Sequence, residues 1–408
     1  MGSPRGKKRA DKAAAADAAA AAAAAGGAAA GEAGPASPSV ASPVLNPLFA
    51  TVSPQPAAPS PLGGGADKPP AAGLGKKAPV PNARLPTASP PPPPTNRDFA
   101  SVSLALSTRD RTARLLSDGY LVVDGLLGGA WATALRTEVL SLAAAGVLGP
   151  NRTSFTDAKG KALVYSKPGV FEADLHSSDV RARIAATCPE LAAWFGHSAV
   201  TLANGYAAAV PQLHLVAGEQ GRSVKLQVAT PGGAFPLHFD NPGPPSRRCL
   251  TLLLYLNPNW VKGQGGELVL QPFLQPALVV EPLHNRAVFF LSDRMLHRTL
   301  PSHAPQRLCV TTWFDGSACN SEADVKMRLP ATALKDVPAT AALLRGSACQ
   351  RSISRAVYAE EYEESMRACM RGASGEEQLL AAHEARLMQV AVNEPLALLV
   401  AKLAQLKT

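Results

Sequence analysis

The first 98 residues lack tryptophan, tyrosine, cysteine and histidine, and Phe49 is their only phenylalanine. They consist mainly of alanine, proline, glycine and serine. A segment with so few large apolar side chains cannot bury enough surface to offset the entropy that it would lose on ordering. We therefore predict that residues 1–98 form a disordered Ala/Pro-rich tail and that folded structure begins near Phe99.

The remainder of the chain lacks a strong excess of either charge. The net charge is +9, but residues 1–98 contribute ten Lys/Arg and five Asp/Glu, so thirty basic and twenty-six acidic residues remain. This mild excess gives no reason to expect a nucleic-acid partner. Outside the alanine-rich segment no run of about 18 apolar residues occurs, so we expect no membrane span.

The six cysteines form no C-x-x-C pair and match no zinc or disulfide spacing, which favours a reducing compartment. The start, "MGSPRGKKRADKAAAADAAAAAAAAGG", is basic and then alanine-rich, and Asp17 interrupts it. A secretory signal needs a more apolar stretch. We expect a cytoplasmic or nuclear protein, with organelle targeting as the alternative.

Hydrophobic spacing predicts helices over 129–148 and near 178–195, and strands over 120–123 and near 211–216 and 223–229. Between 235 and 315, short apolar runs recur between Pro, Gly and Asn turns, as in "CLTLLLYLN" and "RLCVTTWF". Many short strands with regular turns indicate an antiparallel sandwich or barrel. Residues 319–408 have a helical pattern.

The stretch "FPLHFDNPG" (235–243) places His238 and Asp240 two positions apart. Alone, such a pair is a weak signal, because a histidine at a strand end often binds a turn aspartate. A second histidine follows the strand "FFLS" downstream, either His297 or His303. Two imidazoles and one carboxylate that leave coordination positions open are typical of non-haem Fe(II) oxygenases. A closed structural site would need a fourth ligand.

Arg307 begins the strand "RLCVTTWF". A guanidinium there could bind the distal carboxylate of a 2-oxo acid through two parallel hydrogen bonds, whereas the alternative is a surface arginine at a strand entry. We expect the third metal ligand on a strand next to the one that carries Arg307, separated from it by a turn. This geometry favours His297, because His303 would lie inside the turn "LPSHAPQ" and face solvent.

Residues 119–315 resemble the 2-oxoglutarate/Fe(II) dioxygenases of the prolyl 4-hydroxylase type, and most of all the hypoxia-inducible-factor prolyl hydroxylases. The resemblance rests on "GYLVVDGLLG", "HFDNP", "RCLTLLLYLN", "GGELVLQPF", "VEPLHNRAVFFLSDRMLH" and "RLCVTTWFD". It implies a mainly β fold with flanking helices, the double-stranded β-helix or jelly roll. We expect a dioxygenase domain over 99–318, with a jelly-roll core at about 223–316, and a helical C-terminal extension over 319–408.

The resemblance also implies the residues of the site. His238, Asp240 and His297 would be the catalytic iron ligands, and Arg307, Tyr255 and Thr311 would bind 2-oxoglutarate. Trp313 would either form a wall of the iron site or belong to the core. Nucleic-acid demethylases of this superfamily carry a second arginine six residues after the first, where this chain has Trp313.

The implied activity is hydroxylation of an unactivated C–H bond, and the expected target is a prolyl residue in a protein (a peptidyl-proline 4-dioxygenase). The implied cofactors are Fe(2+), 2-oxoglutarate, O2 and L-ascorbate, and the expected partner is a protein or peptide substrate. The alternatives are an oxygenase that acts on another side chain or a small molecule, and a non-catalytic jelly-roll binding module. The oligomeric state is open.

Overall fold

The computed structural model describes residues 97–156, 162–319, 329–330 and 332–407. The predicted disordered tail lies outside the described residues, except for its last two positions. The strands are β1 (Tyr120–Asp124), β2 (Gly149–Thr156), β3 (Ala162–Asp174), β4 (Arg222–Ala229), β5 (Phe235–His238), β6 (Arg248–Tyr255), β7 (Leu268–Gln271), β8 (Leu278–Val280), β9 (Arg286–Leu291), β10 (Leu296–Thr299) and β11 (Arg307–Asp315). The helices are α1 (Phe99–Ser103), α2 (Arg109–Asp118), α3 (Gly129–Ala144), α4 (Ser178–Thr187), α5 (Pro189–His197), α6 (Ala203–Ala209), α7 (Val337–Arg345), α8 (Gln350–Val357), α9 (Ala359–Met370), α10 (Glu376–Ala391) and α11 (Glu394–Ala404).

The strands form two antiparallel sheets. The major sheet has the order β1-β9-β6-β11-β4-β3-β2, and the minor sheet has the order β5-β10-β7-β8. Apolar residues of both sheets, such as Leu253, Val288 and Leu270, pack together in one buried cluster. This arrangement is a double-stranded β-helix, so the predicted fold class is confirmed.

The alternation of β11 gives its two faces different roles. Leu308, Val310 and Phe314 belong to the core that the major sheet shares with the N-terminal helices, which also contains Trp131 and Tyr206. On the opposite face the odd-numbered residues from Arg307 to Trp313 line a cavity. Successive side chains of a strand point to opposite faces, so this one strand supplies both a core and a site wall.

The C-terminal helices pack against the minor sheet. Leu237 of β5 and Leu296 of β10 share a buried cluster with Ile353 of α8 and Leu399 of α11. The backbone N–H of Leu237 also donates to the hydroxyl of Ser365 on α9, at 2.9 Å. The predicted helical segment therefore covers the minor sheet with its own apolar core.

Some predicted elements differ from the structure. The strand predicted near 211–216 is wrong: Pro211–Leu213 is a short 3-10 helix, and Leu215 forms only an isolated bridge to Gly316. Pro211 begins this turn, and a proline lacks the N–H that a strand ladder needs. The β2–β3 hairpin was not predicted. The predicted helices over 129–148 and near 178–195 are present as α3, and as α4 with α5.

No single described helix is long and apolar enough to cross a membrane, whereas α10 and α11 together meet that length and composition test across a 110° bend. All six cysteines lie in the described part of the chain, and none of them forms a disulfide there.

Candidate metal and cosubstrate site

Two antiparallel strands of the minor sheet place the predicted histidines opposite each other. His238 at the end of β5 is the register partner of His297 on β10, and their ring centroids lie 4.3 Å apart. Asp240 follows two residues after His238, and its Oδ1 lies 3.6 Å from Nε2 of His238 and 3.8 Å from Nε2 of His297. One donor atom from each residue lies within 4.8 Å of the others, so the three side chains converge on one point.

Backbone carbonyls fix the tautomer of both rings. Nδ1 of His238 lies 2.7 Å from the oxygen of Pro236, and Nδ1 of His297 lies 3.1 Å from the oxygen of Met295. A carbonyl can only accept, so Nδ1 carries the proton and the lone pair of Nε2 faces the shared point. Burial lowers the pKa of His297 to about 4, and the charge of His238 acts in the same direction. His297 is therefore neutral at pH 7, as a metal ligand must be.

Asp240 is buried, and hydroxyl groups orient its carboxylate from the side opposite the histidines. The hydroxyl of Thr251 donates to its Oδ2 at 2.7 Å, and Thr251 in turn lies 2.8 Å from the hydroxyl of Ser292. Burial raises the pKa of Asp240, but the imidazoles of His297 and His238 outweigh this effect and hold the pKa below its usual range. Oδ1 thus stays an anionic donor. The sequence feature that could have indicated this contact is Thr251, the one polar residue inside the apolar run "CLTLLLY".

Arg307 occupies the other end of the site. Its Nε donates to the carbonyl of Gly266 at 2.6 Å, and its guanidinium carbon lies 4.9 Å from the ring centroid of Tyr255. A Cβ on Gly266 would lie 2.7 Å from Cδ of Arg307, and the φ of +77° also favours glycine at this position. The hydroxyl of Tyr255 is buried and has no hydrogen-bond partner in the described part of the chain. A guanidinium and a free hydroxyl therefore flank the same space.

One cavity of about 730 Å³ joins these groups. Thr311 lines this cavity, and its hydroxyl donates to Oε1 of Gln227 at 3.2 Å. Trp313 also lines it, and the guanidinium carbon of Arg248 lies 3.9 Å from the ring centroid of Trp313. Every residue predicted for the site borders this cavity, namely His238, Asp240, Tyr255, His297, Arg307, Thr311 and Trp313. The exposed His303 is not among the lining residues.

Comparison with known proteins agrees with this geometry. Residues 224–315 match the model of the 2OG-Fe(II) oxygenase superfamily. The solved structure of a prolyl 4-hydroxylase from Phytophthora capsici is 35% identical, covers 80% of this chain and 98% of its own, and superposes with a TM-score of 0.65. The chain belongs to the 2OG-Fe(II) oxygenase superfamily.

Curated relatives match over a shorter part of this oxygenase. Human prolyl hydroxylase EGLN3 is 37% identical over 112 residues, which are 26% of this chain and 46% of the relative. The hypoxia-inducible factor prolyl hydroxylase of Caenorhabditis elegans is 34% identical over 99 residues, or 23% of this chain and 13% of the relative. The matches thus span about half or less of these relatives.

The residues present fit the cofactors that the superfamily implies. Two imidazole nitrogens and one carboxylate oxygen are the donor set that suits ferrous iron with vacant positions. The buried guanidinium of Arg307 suits the distal carboxylate of 2-oxoglutarate because it offers charge-assisted donors. The hydroxyl of Tyr255 suits the same carboxylate because it has no hydrogen-bond partner among the described residues.

Part of the cavity wall was not predicted from the sequence of this oxygenase. The β2–β3 hairpin contributes Lys167, which is buried, donates to Oδ1 of Asn151 at 2.8 Å and lies 4.7 Å from the ring centroid of Phe235. Burial lowers the pKa of Lys167. The C-terminal helices α8, α9 and α10 line the cavity with Arg355, Tyr362, His383 and Arg386. No local motif marks these residues, because only the tertiary fold brings them to the site.

Proposed function

We propose that the protein is an Fe(II)- and 2-oxoglutarate-dependent dioxygenase that hydroxylates a prolyl residue in a peptide or protein. The observation that carries the proposal is the placement of the His238–Asp240–His297 cluster and the Arg307–Tyr255 pair in one cavity. The likeness to the Phytophthora capsici prolyl 4-hydroxylase, which is itself covered over 98% of its length, supports the choice of a prolyl substrate.

The chain's own residues prepare the metal position. When bound, ferrous iron with 2-oxoglutarate and O2 supplies the oxidising chemistry that inserts one oxygen atom into a C–H bond and releases succinate and CO2. His238 and His297 present Nε2 because backbone carbonyls hold their Nδ1 protons. Asp240 adds one negative charge and keeps its direction through Thr251.

The opposite end of the cavity orients the cosubstrate. Arg307 is held by its Nε at Gly266, so its remaining donors face a bound carboxylate in a fixed direction. Tyr255 supplies a hydroxyl to the same group. Apolar walls such as Leu253 and Leu268 limit the access of water, which strengthens these charge-assisted bonds.

The test is release of succinate from 2-oxoglutarate under air, with Fe(II) and ascorbate, in the presence of proline-containing peptides. We expect peptide-dependent succinate and a peptide that gains one oxygen atom on proline, read by fragmentation mass spectrometry. Ascorbate should sustain turnover, because the resident iron must remain ferrous. Oxidation of a different side chain or of a free small molecule would overturn the prolyl assignment. Iron and 2-oxoglutarate binding without succinate release under any condition would indicate a binding module.

A further inference from the structure

Three C-terminal helices bring two arginines to the wall of the active-site cavity. Arg355 lies on α8, Tyr362 on α9, and His383 and Arg386 on α10, and all four line the cavity that contains the His238–Asp240–His297 cluster. The proposed function assigns no role to these residues, and 2-oxoglutarate is already provided for by Arg307 at the major sheet.

Arg355 is held in place by neutral groups. Its guanidinium lies 4.5 Å from the ring centroid of Tyr362, and its Nη1 lies 3.1 Å from Nδ1 of His383. Nε2 of His383 lies 3.2 Å from the carbonyl of Ala359, so that nitrogen carries the proton and Nδ1 accepts from Arg355. Burial lowers the pKa of His383 to about 4, and the charge of Arg355 acts in the same direction. His383 is therefore a neutral acceptor.

No carboxylate balances the two guanidinium charges. In the described part of the chain neither Arg355 nor Arg386 forms an ion pair, and Nε of Arg355 is buried without a hydrogen-bond partner. Glu363, whose charge reaches His383, is itself bound by Arg367 at 2.8 Å. Burial, and then the charge of Arg355, lowers the pKa of Arg386 to about 10. The two guanidinium groups thus repel each other, and this repulsion destabilises the protein unless an anion binds between them.

We propose that Arg355 and Arg386 form a subsite for an acidic side chain, aspartate or glutamate, of the substrate near the residue that is hydroxylated. This inference rests on the proposed function, because a peptide must enter the cavity. A carboxylate between the two guanidinium groups would supply the missing charge and accept from the free Nε of Arg355. The C-terminal helices would then select acidic sequences, whereas the β-helix core performs the chemistry.

Direct binding tests the subsite without turnover. The full-length protein, with Fe(II) and 2-oxoglutarate under nitrogen, is titrated with fluorescent short peptides that have a central proline and one glutamate at each other position in turn. Each peptide has a twin with glutamine. We expect the best glutamate peptide to bind at least about tenfold more tightly than its twin, because a single charge-assisted hydrogen bond is worth at least about that factor.

Variants assign the preference to the arginines. In the double variant Arg355→Gln/Arg386→Gln the ratio of the two affinities should fall to about one. Arg371→Gln is the matched control, because this arginine is exposed, follows directly after α9 and is not part of the cavity lining, and it should keep the wild-type ratio. Arg386→Glu should reverse the preference, so that a peptide with lysine at the same position binds better than the glutamate peptide.

Equal affinity of the wild type for both twins, or an unchanged ratio in the double variant, would overturn the proposal. So would an equal loss of 2-oxoglutarate affinity in Arg386→Gln, because the arginines would then serve the cosubstrate. If a thermal melt shows that the double variant is unfolded, Arg386→Gln alone decides, since that half-buried side chain forms no hydrogen bond in the described part of the chain. Acid-selective binding without proline hydroxylation would overturn the proposed function and leave the subsite standing.

Discussion

At the scale of single residues, each of the three candidate ligands is oriented by a protein neighbour. Pro236 and Met295 hold the two imidazoles by their backbone oxygens, and Thr251 holds the carboxylate. The donor atoms therefore face one point before a metal arrives, which reduces the ordering that binding requires. Replacing one ligand side chain should leave the fold intact, because the backbone pairing of β5 and β10 does not depend on that side chain.

His297 and His303 lie six residues apart in the sequence, but only His297 is a candidate metal ligand. His297→Ala removes a buried nitrogen that converges with Asp240, so we expect Fe(II) binding and succinate formation to be abolished. His303→Ala changes an exposed side chain outside the cavity and should leave both nearly intact. Fe(II) titration and succinate release check the pair, with a thermal melt of each variant. A dead His303→Ala together with an active His297→Ala would show that the third ligand is misassigned.

Arg307→Lys keeps the positive charge but loses the planar pair of donors. We expect the affinity for 2-oxoglutarate to fall by about 1.5–3 kcal/mol, the value of a hydrogen bond to a charged group. Calorimetric titration with 2-oxoglutarate measures this loss, and Fe(II) binding serves as the control, because Arg307 lies on the major sheet and the ligands lie beside the minor sheet. An unchanged 2-oxoglutarate affinity would remove Arg307 from the cosubstrate site.

At the scale of elements, sequence reasoning succeeds where periodicity and motif coincide. The alternation in "RLCVTTWF" places Arg307, Thr311 and Trp313 on one face, and the structure has them on one cavity wall. The sequence left open whether Trp313 forms a cavity wall or belongs to the core. In the structure Trp313 lines the cavity, whereas the next residue, Phe314, belongs to the core. The assignment of roles to the site residues stays a prediction.

The neighbour argument used to choose His297 was wrong in one respect. Its strand β10 pairs with β5 and β7 in the minor sheet, whereas β11 with Arg307 pairs with β4 and β6 in the major sheet. The turn between them leads the chain from one sheet to the other. Sequence spacing shows that a turn is present, but the exchange of the chain between sheets depends on pairings between strands that are far apart in the sequence.

The docking of α9 on the minor sheet depends on a few polar contacts that can be removed singly. The hydroxyl of Tyr358, at the start of α9, accepts from the backbone N–H of Leu274 at 2.7 Å in a buried position. Tyr358→Phe leaves that N–H without its partner, so we expect the free energy of unfolding to fall by about 1–3 kcal/mol.

Urea unfolding measures the effect of Tyr358→Phe. The control is Tyr120→Phe on β1, whose hydroxyl forms no hydrogen bond in the described part of the chain, and its change should stay within about 0.5 kcal/mol. Equal losses in the two variants would show that the Tyr358 contact does not stabilise the docking.

At the scale of the whole molecule, the described residues form layers: N-terminal helices, major sheet, minor sheet and C-terminal helices. The cavity lies between the sheets, and its rim comes from the hairpin and from α8 to α10. Three of the four layers therefore border one space, although the three candidate ligands lie on two short strands and in the turn that follows β5. The compartment stays a prediction, because nothing in this arrangement depends on it.

The N-terminal layer begins with an anchored residue, and this sets where the chain can be shortened. Arg97 forms a two-point ion pair with Glu190 of α5, at 2.7 and 3.0 Å, and Asp98 caps α1 by accepting from the N–H of Ser101. Residues 1–96 contain few large apolar side chains and no histidine or cysteine, so their composition gives no reason to expect that they pack on the fold. We expect a chain that begins at Arg97 to keep the thermal stability and the succinate release of the full chain. A chain that begins at Phe99 leaves the buried Glu190 without this arginine and should lose about 1–3 kcal/mol of unfolding free energy, measured by urea titration. Equal stability of the two shortened chains would rule out the anchor, and loss of folding in the longer one would show that the preceding residues contribute to the fold.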